Sequence, residues 1–374
     1  MLKLKQSEYE AGNKLSKFDL IKRLTPLKKQ EDYSFLNDVY NPPLQQSISY
    51  VDDAFIRMYK GQNKYPKFKS RKAKQSFTYA YPKIKDNHLF LPKHKSWIKF
   101  RDVRTIEGKL KKVTISMDPD GTYWASVLAE QDIQIPDKTS LLGKTVGIDL
   151  GLKDFAILSD GTKVINPRFA EHYAYKIKQA QRHLSRKHKG SKRYEKQRIK
   201  IAKLYKRVKW LRHEFIHSLV NWLLSENQTV CLETLSVKKM MQGSKLARSI
   251  ASASWTEFVR VLKYKAEWLG KQVIQISKFA ATTKVCSCCG HKTKSIPLSV
   301  REWTCPECGI HHDRDINAAR NILLQAVNLA LGGDCPVHSW IDVANLYAFG
   351  IQVCDSKMKR EYRNNVSNLV YLSM

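Results

Sequence analysis

The amino-acid sequence predicts an α/β domain with an inserted zinc ribbon, preceded by a region of helices and antiparallel strands. Three observations predict it. Strand and helix patterns follow one another over residues 144–332 in the order strand, strand, strand, helix, strand, helix, strand, helix. Three acids, Asp149, Glu233 and Asp315, stand at strands or at a helix start, and two Cys-x-x-Cys pairs precede the last helix.

Charge is the most unusual property of the chain. It holds 66 Lys and Arg against 34 Asp and Glu, a formal net charge of +32 over 374 residues. Such a charge favours a polyanionic partner, above all nucleic acid; a ribosome-like structural protein and a membrane-surface binder are the alternatives. No apolar run reaches the length of a transmembrane helix, and the first residues lack an apolar signal core. We therefore expect a location in the cytoplasm or nucleoid.

Residues 1–135 predict helices followed by antiparallel strands. Residues 1–60 are polar and helix-prone, with a break at Pro42-Pro43 and an amphipathic helix over 45–59. Residues 76–131 alternate apolar and polar side chains between Asp-Asn, Glu-Gly and Asp-Gly turns. This alternation is typical of a small antiparallel barrel or sandwich. Residues 132–143 are predicted to be a linker.

Two basic segments are candidate nucleic-acid contacts. Residues 65–74 interleave aromatic and basic side chains, which suits phosphate contact with base stacking, although a solvated surface loop is the plainer interpretation. Residues 168–226 hold 17 Lys and Arg against 4 Asp and Glu, and they predict a helical hairpin broken at Gly190-Ser191. Because two positively charged helices repel each other, the hairpin indicates that a polyanion binds to it; the alternative is a charged surface that contacts only solvent. The selected contacts are Lys67, Lys69, Arg71, Lys72, Arg182, Arg186, Lys187, Lys192, Arg193, Lys196, Lys203 and Arg207.

Three carboxylates come from three separate elements. Asp149 lies in the apolar strand VGIDLG, and Glu233 ends the short apolar strand TVCLE. An acid in a buried strand is costly unless it binds a metal or a partner. Asp315 alone would be interpreted as a helix cap. Together the three can hold two Mg²⁺ ions for phosphodiester hydrolysis, one activating water and the other stabilising the leaving 3′ oxygen.

The two cysteine pairs predict a structural zinc site. Cys286 and Cys289 are separated by fifteen residues from Cys305 and Cys308, a spacing that fits a zinc ribbon over residues 284–312. Four thiolates complete the tetrahedron and leave no position for a catalytic water. Cys288 is interpreted as a bystander, with a shifted pairing as the alternative. The tail, residues 333–374, has no clear pattern and is expected to be loosely held.

Several motifs resemble those of the TnpB (OrfB) family of transposon-encoded, RNA-guided nucleases related to type V CRISPR effectors. They are GIDLG around Asp149, Glu233 followed by TLSVKKM, the two cysteine pairs, HDRDINAARNI, YPKFKSRK, HLSRKHKGSKRYEKQRIKIAKLYKRV and SWTEFVRVLKYKAEWLG. The resemblance covers roughly residues 60–332. The family's Tyr-Pro-x-x-x-Gln type opening is absent, so we expect the chain to start about thirty residues later than the family and its wedge to lack a strand.

The resemblance implies a fold, a reaction and partners. It implies a RuvC-type, RNase H-like nuclease domain over 144–332, with a β-barrel-like wedge and helical recognition region over 1–135. Asp149, Glu233 and Asp315 match the family's three catalytic acids; Asp313 and Asp154 do not, and are interpreted as surface or capping acids. The implied partners are a guide RNA from the transposon end and target double-stranded DNA, with the basic hairpin along their heteroduplex.

Three functions remain open from the sequence. The first is an Mg²⁺-dependent, RNA-guided DNA endonuclease that serves the maintenance of a transposable element. The second is a cleavage-inactive relative that only binds DNA; the intact set of three acids argues against this alternative. The third is a transposase that transfers DNA strands, against which the zinc ribbon and the basic hairpin stand.

Overall fold

The structure is a computed structural model and describes residues 1–70, 73–91, 95–101, 106–131, 144–243, 245–294, 296–297 and 299–330. Its chain divides into two compact units. The first comprises Met1–Ile133 with Lys187–Lys203, and the second comprises Gln134–Arg186 with Leu204–Met374. The predicted linker over 132–143 and the tail over 333–374, together with Arg71 and Lys72, lie outside the described residues.

The first unit begins with short helices around a small apolar core. A 3₁₀ helix over Glu31–Asp38 separates the third α-helix from the fourth. The helices are α1 (Leu2–Glu10), α2 (Lys17–Lys22), α3 (Leu24–Lys28) and α4 (Asn41–Tyr59). The predicted amphipathic helix is confirmed as part of α4. Pro42 and Pro43 lie in its first turn, where a missing N–H costs nothing, so they start a helix and do not merely interrupt one.

Antiparallel strands form the rest of this unit. They are β1 (Gln75–Ala80), β2 (Lys83–Lys85), β3 (His88–Leu91), β4 (Ser96–Lys99), β5 (Lys109–Met117) and β6 (Tyr123–Glu130). They pair as two three-stranded sheets, in the orders β1-β5-β6 and β2-β3-β4. Tyr79, Leu89 and Val113 come from both sheets and share one core cluster. Among the described residues this is a sandwich-like pair of sheets, and the closed barrel that the wedge prediction suggested is not formed.

The second unit is built on a mixed five-stranded sheet. Its strands are β7 (Thr145–Asp149), β8 (Asp154–Leu158), β9 (Lys163–Ile165), β10 (Thr229–Glu233) and β11 (Gln272–Ile276). The spatial order is β11-β10-β7-β8-β9. Strands β7, β10 and β11 run parallel, whereas β8 and β9 pair antiparallel. The predicted succession of strands and helices is therefore confirmed, with β7 in the centre.

Helices cover both faces of this sheet. They are α5 (Phe169–Ser185), α6 (Lys192–Glu226), α7 (Val237–Met241), α8 (Ala247–Ala253), α9 (Trp255–Trp268) and α10 (Arg314–Ala330). Val230 and Leu232 of β10 pack into the larger core with the second half of α6 and with α9, while Cys231 between them packs against α10. This alternation follows the two-residue period of a strand and explains why β10 is apolar on both faces.

Two details differ from the sequence prediction. Residues 238–253 are polar, which predicts a mobile segment, yet they contribute to α7 and α8, and Ile250 and Ala253 of α8 are buried in the larger core. Tyr205 stands at helical spacing from Ala202 and Val208, which predicts a buried position on α6, but half of its side chain is exposed and its hydroxyl accepts a hydrogen bond from Gln181. In the first case, a mostly polar segment contains a few apolar side chains that pack into the core. In the second, the hydroxyl group of Tyr205 makes the aromatic side chain suitable for a partly exposed position.

Helix α10 lies unusually close to the central strand. A Cβ atom added to Gly147 of β7 would be 2.2 Å from the carbonyl oxygen of Ala319 and 2.8 Å from the Cβ of Leu323. No larger side chain fits there without moving the helix. Glycine at this position therefore lets α10 pack directly on β7.

The zinc ribbon is inserted between β11 and α10. It contains the short antiparallel strands β12 (Glu302–Thr304) and β13 (His311–Asp313). Helix α10 begins at Arg314, the residue after β13. Among the helices of the described residues, none is long and apolar enough to cross a bilayer.

Candidate carboxylate centre and cysteine metal site

Two of the predicted acids leave the same edge of the sheet. Asp149 is the last residue of β7 and Glu233 is the last residue of β10. These strands are parallel neighbours in which Leu232 pairs with Ile148, so the acids that follow emerge side by side. Carboxyl ends of parallel strands are the usual place for ligands in α/β sheets.

The third acid is in the first turn of α10, and a different residue caps that helix. The Asp313 carboxylate accepts hydrogen bonds from the backbone N–H groups of Asp315, at 2.9 Å, and Ile316, at 3.1 Å. Asp313 thereby fills the capping role that a lone Asp315 could have had. Its other carboxylate oxygen pairs with Lys163. The Asp315 carboxylate is bonded by a side chain of the ribbon, Arg301.

The charges of Glu233 and Asp315 both act on the buried carboxyl group of Asp149. Burial, together with the charges of Glu233 and Asp315, raises the pKa of Asp149 to about 7, against the opposing effects of the Leu150 N–H and the charge of Arg314. Burial also raises the pKa of Glu233. A buried acid whose pKa is raised by neighbouring charges needs a cation or a proton beside it. Carboxylate oxygens are the ligands that Mg²⁺ prefers, so the types of donor fit that ion, although among the described residues only the four cysteines form a group whose ligand atoms all lie within 4.8 Å of one another.

Cationic side chains flank the centre. Arg301, in the ribbon, donates two hydrogen bonds to the Asp315 carboxylate at 2.9 and 3.2 Å. Arg314 is only 9% exposed, and its guanidinium donates to the carbonyl oxygen of Pro297 at 3.1 Å. The Nε of Arg314 has no hydrogen-bond partner among the described residues. Neither arginine could be recognised from the amino-acid sequence, because nothing around Arg301 or Arg314 distinguishes them from the many other basic residues of the chain.

The four predicted zinc ligands come together. The sulfur atoms of Cys286, Cys289, Cys305 and Cys308 lie within 4.8 Å of one another. The Sγ atoms of Cys286 and Cys308 are 3.7 Å apart, and those of Cys289 and Cys305 are 3.6 Å apart. Tetrahedral zinc with Zn–S bonds of about 2.3 Å requires separations of roughly 3.8 Å. The cluster can therefore bind a metal such as zinc, and Cys288 is not among its four sulfurs.

The cysteine site has a buried histidine beside it that the sequence analysis missed. The Nε2 atom of His312 lies 3.0 Å from the Cys286 sulfur, and its ring packs on Trp303 with centroids 4.9 Å apart. A ring N–H next to a metal-bound thiolate holds that ligand in place. The backbone N–H of Ile310 lowers the pKa of Cys308 to about 7, whereas burial raises the pKa of Cys286 to about 12, so without a metal the thiolate is favoured at Cys308 and not at Cys286.

The predicted nucleic-acid contacts are mostly exposed. In the first unit these are Lys67, Lys69, Lys192, Arg193, Lys196 and Lys203, with Lys187 partly covered. In the second unit they are Arg182, Arg186 and Arg207. The predicted break of the hairpin is confirmed, since α5 ends at Ser185 and α6 begins at Lys192. Exposure makes these side chains available to a partner, and their role stays a prediction.

Comparison with known proteins gives matches along most of the chain. Residues 126–243 match the OrfB family model described as "Probable transposase", and residues 255–322 match the model "Cas12f1-like, TNB domain". A Streptomyces pristinaespiralis protein named "Putative RNA-guided DNA endonuclease" is 38% identical over 316 residues, which cover 83% of this chain and 78% of the relative. The chain belongs to the TnpB (OrfB) family.

Other relatives match the chain over different shares of its length. The Escherichia coli (strain K12) protein named "Putative RNA-guided DNA endonuclease InsQ" is 30% identical over 334 residues, covering 84% of this chain and 82% of the relative. The mimivirus "TnpB-like protein L79" is 31% identical over 47% of this chain and 36% of the relative. Among solved structures, the "Cryo-EM structure of the Cas12f1-sgRNA-target DNA complex" aligns with 15% identity and a TM-score of 0.37, covering 85% of this chain and 88% of that one.

Proposed function

We propose that this protein is an RNA-guided DNA endonuclease that hydrolyses phosphodiester bonds of target DNA with Mg²⁺ held by Asp149, Glu233 and Asp315. The observation that carries the proposal is the pair of acids at the ends of the neighbouring strands β7 and β10; burial and the charges of Glu233 and Asp315 raise the pKa of Asp149 to about 7. Membership of a family whose named relatives are RNA-guided DNA endonucleases supports the reaction.

The carboxylates would bind the ion and orient the substrate. When bound, Mg²⁺ lowers the pKa of the water that it coordinates and stabilises the negative charge on the leaving 3′ oxygen. Glu233 and Asp149 hold their oxygens on rigid strand ends, and Asp315 adds a third oxygen from the start of α10. Because Asp149 gains a proton below about pH 7 in the metal-free centre, binding of the ion displaces that proton.

Zinc would organise the ribbon and would not take part in the chemistry. Four thiolates fill its coordination, and β13 leads directly into the helix that carries Asp315. The structural role agrees with the position of the ribbon beside the carboxylate centre. Cleavage therefore depends on zinc only through the placement of α10.

The partners would be a guide RNA from the transposon end and double-stranded target DNA. The net charge of +32 and the exposed basic side chains of α5 and α6 support binding along the phosphate backbones. Sequence selection is left to base pairing between guide and target. In this role the protein serves the maintenance of a transposable element.

The test combines RNA identification with a cleavage assay. The chain is expressed with its native downstream DNA, the co-purifying RNA is sequenced, and supercoiled DNA with a matching target is added with Mg²⁺. We expect one structured RNA and cut DNA, with cleavage abolished in Asp149→Ala, Glu233→Ala and Asp315→Ala while RNA and target binding persist. Residual cutting by any of these variants would refute the three-acid assignment.

A strand-transferring transposase is the second candidate, because one matching family model is described as "Probable transposase". The same assay separates the two. A hydrolase leaves free ends on the target, whereas a transferase joins a transposon end to it, which amplification across the new junction detects. Binding without either product would indicate a cleavage-inactive relative.

A further inference from the structure

Three side-chain amides on one face of α10 run along the chain segment that leads into the first cysteine pair. They are Asn317, Asn321 and Gln325, spaced four residues apart. We call them the amide ladder. Asn317 and Asn321 are 1% and 3% exposed, so each polar atom they bury needs a partner.

The ladder bonds to the backbone on both sides of Cys286. Asn317 accepts from the N–H of Ser287 at 2.9 Å and donates to the carbonyl oxygen of Val285 at 2.7 Å. Asn321 donates to that same oxygen at 2.6 Å and to the carbonyl oxygen of Thr282 at 2.7 Å. Four hydrogen bonds therefore fasten the residues flanking a predicted zinc ligand to the middle of α10.

The ladder is weakest at the end farthest from the acids. The Gln325 amide donates to the carbonyl oxygen of Ala281 at 3.4 Å, and its side chain is only partly buried. At the other end, Asn317 is two residues from Asp315. The two asparagines, which lie nearer to Asp315 and Cys286 than Gln325 does, therefore make the short hydrogen bonds of the ladder.

We propose that Asn317 and Asn321 are positioning residues that couple the zinc site to the carboxylate centre. A thiolate held by zinc fixes the backbone at Val285 and Ser287, and the two asparagines pass this constraint to α10, which fixes the Asp315 carboxylate. The coupling works in both directions: loss of the asparagines loosens the zinc ligand and weakens the cation site. The cation half of this inference rests on the proposed function, whereas the zinc half does not.

Apolar packing alone does not account for the ladder. Helix α10 already contacts the sheet through Ile322, Leu323 and Ala326. Alanine or leucine at 317 and 321 would extend that contact, but it would leave the N–H of Ser287 and the carbonyl oxygen of Val285 unpaired in a buried place. Such unpaired groups cost stability, and here they stand next to a metal ligand.

The experiment uses full-length chains with Asn317→Ala, Asn321→Ala and the control Gln325→Ala. Zinc content per chain is measured first, then the rate of zinc release to a chelator. We expect one zinc per chain in all four proteins, with release about tenfold faster or more for the two asparagine variants. The control should match the unchanged chain. Equal release rates in all four proteins would overturn the proposal, as would an equal acceleration by Gln325→Ala.

A second measurement follows the carboxylate centre without DNA. Mn²⁺ binding is titrated by electron paramagnetic resonance, and the site is defined as the binding that Asp315→Ala removes. The Mn²⁺ concentration for half-saturation should rise about tenfold in the asparagine variants. In cleavage, the Mg²⁺ requirement should rise while the rate at saturating Mg²⁺ stays near that of the unchanged chain. An unchanged Mn²⁺ midpoint would overturn the coupling.

The design separates the two proposals and allows for poor folding. If the unchanged chain binds Mn²⁺ and responds as described but cuts no DNA, the proposed function fails and the positioning role stands. If Asn317→Ala is insoluble, Asn317→Asp replaces it, because Asp keeps the acceptor for Ser287 and loses the donor to Val285. Zinc release from Asn317→Asp should be faster than from the unchanged chain, and an unaltered rate would count against the proposal.

Discussion

Replacing Asp149 with asparagine should stabilise the second unit in the absence of Mg²⁺. In the folded chain the pKa of Asp149 rises from 3.8 to about 7. The folded state therefore binds more protons than the unfolded state between these pH values, so its stability falls as pH rises through this window. Each pKa unit corresponds to about 1.36 kcal/mol. Relative to a side chain that does not titrate, Asp149 therefore lowers the free energy of unfolding by about 4 kcal/mol above pH 7 and by about 2 kcal/mol at pH 5.5. The neutral amide of the Asp149→Asn variant has no charge to bury and escapes this cost.

Hydrogen exchange of the amides of Val146–Ile148, in β7, measures this difference. The unchanged chain and Asp149→Asn are compared at pH 5.5 and at pH 8 in buffer without Mg²⁺, after zinc content has been matched. At each pH the intrinsic exchange rates of these amides are the same in both chains, so the ratio of protection factors gives the difference in stability. The variant should be better protected, and its advantage should grow by about 2 kcal/mol between the two pH values.

A control substitution and the addition of Mg²⁺ complete the test. Asp160→Asn is a matched substitution in the turn after β8, where an amide oxygen can still accept the N–H of Thr162. It should leave the protection of β7 unchanged at both pH values. Added Mg²⁺ should stabilise the unchanged chain and not Asp149→Asn, since only the former offers the charged ligand. If both chains show the same protection at pH 5.5 and at pH 8, burial and the neighbouring acids do not raise the pKa of Asp149.

Three further outcomes are expected. Gly147→Ala should destabilise the second unit by about 1–3 kcal/mol in urea unfolding, because the new Cβ meets the backbone of α10; unaltered stability would mean that α10 does not pack on β7. Cys305→Ser should lower soluble yield and zinc content together, and a well-folded, zinc-free, slow enzyme would contradict a structural ribbon. Arg301→Ala should lower the Mn²⁺ concentration for half-saturation, because Arg301 forms an ion pair with the Asp315 carboxylate. An ion pair with an exposed arginine contributes at most about 1 kcal/mol, so the change in that concentration should stay within about fivefold. A rise in that concentration would show that Arg301 assists the site.

The sequence predicts the parts of this molecule whose pattern has a strong physical cause. An acid in an apolar strand is costly, so Asp149 and Glu233 stand out, and paired cysteines at ribbon spacing have few other uses. The structure places Asp149 and Glu233 at the ends of neighbouring strands and brings the four cysteine sulfurs together. Whether the acids catalyse and the basic residues bind nucleic acid remains a prediction.

Other features could not be predicted because they depend on long-range packing. Asp313 was interpreted as a surface or capping acid and does cap α10, but its ion pair with Lys163 of β9 depends on packing between distant parts of the chain. The helices at 237–253 form around a few buried side chains in a polar stretch. The asparagines at 317 and 321 did carry a signal, since polar residues four apart on an apolar helix face predict buried hydrogen bonds. Their partners could be found only in the structure.

The junction between β13 and α10 has no spacer, and this limits how the protein can be altered. Asp313 ends the strand and Arg314 begins the helix. One inserted residue would turn everything after it by about 100° and move Asp315 away from the other acids. Length changes should therefore be accepted in the loop between the two cysteine pairs and rejected at this junction. A fluorescent or affinity tag for tracking the protein during cleavage belongs in that loop, well before residue 313.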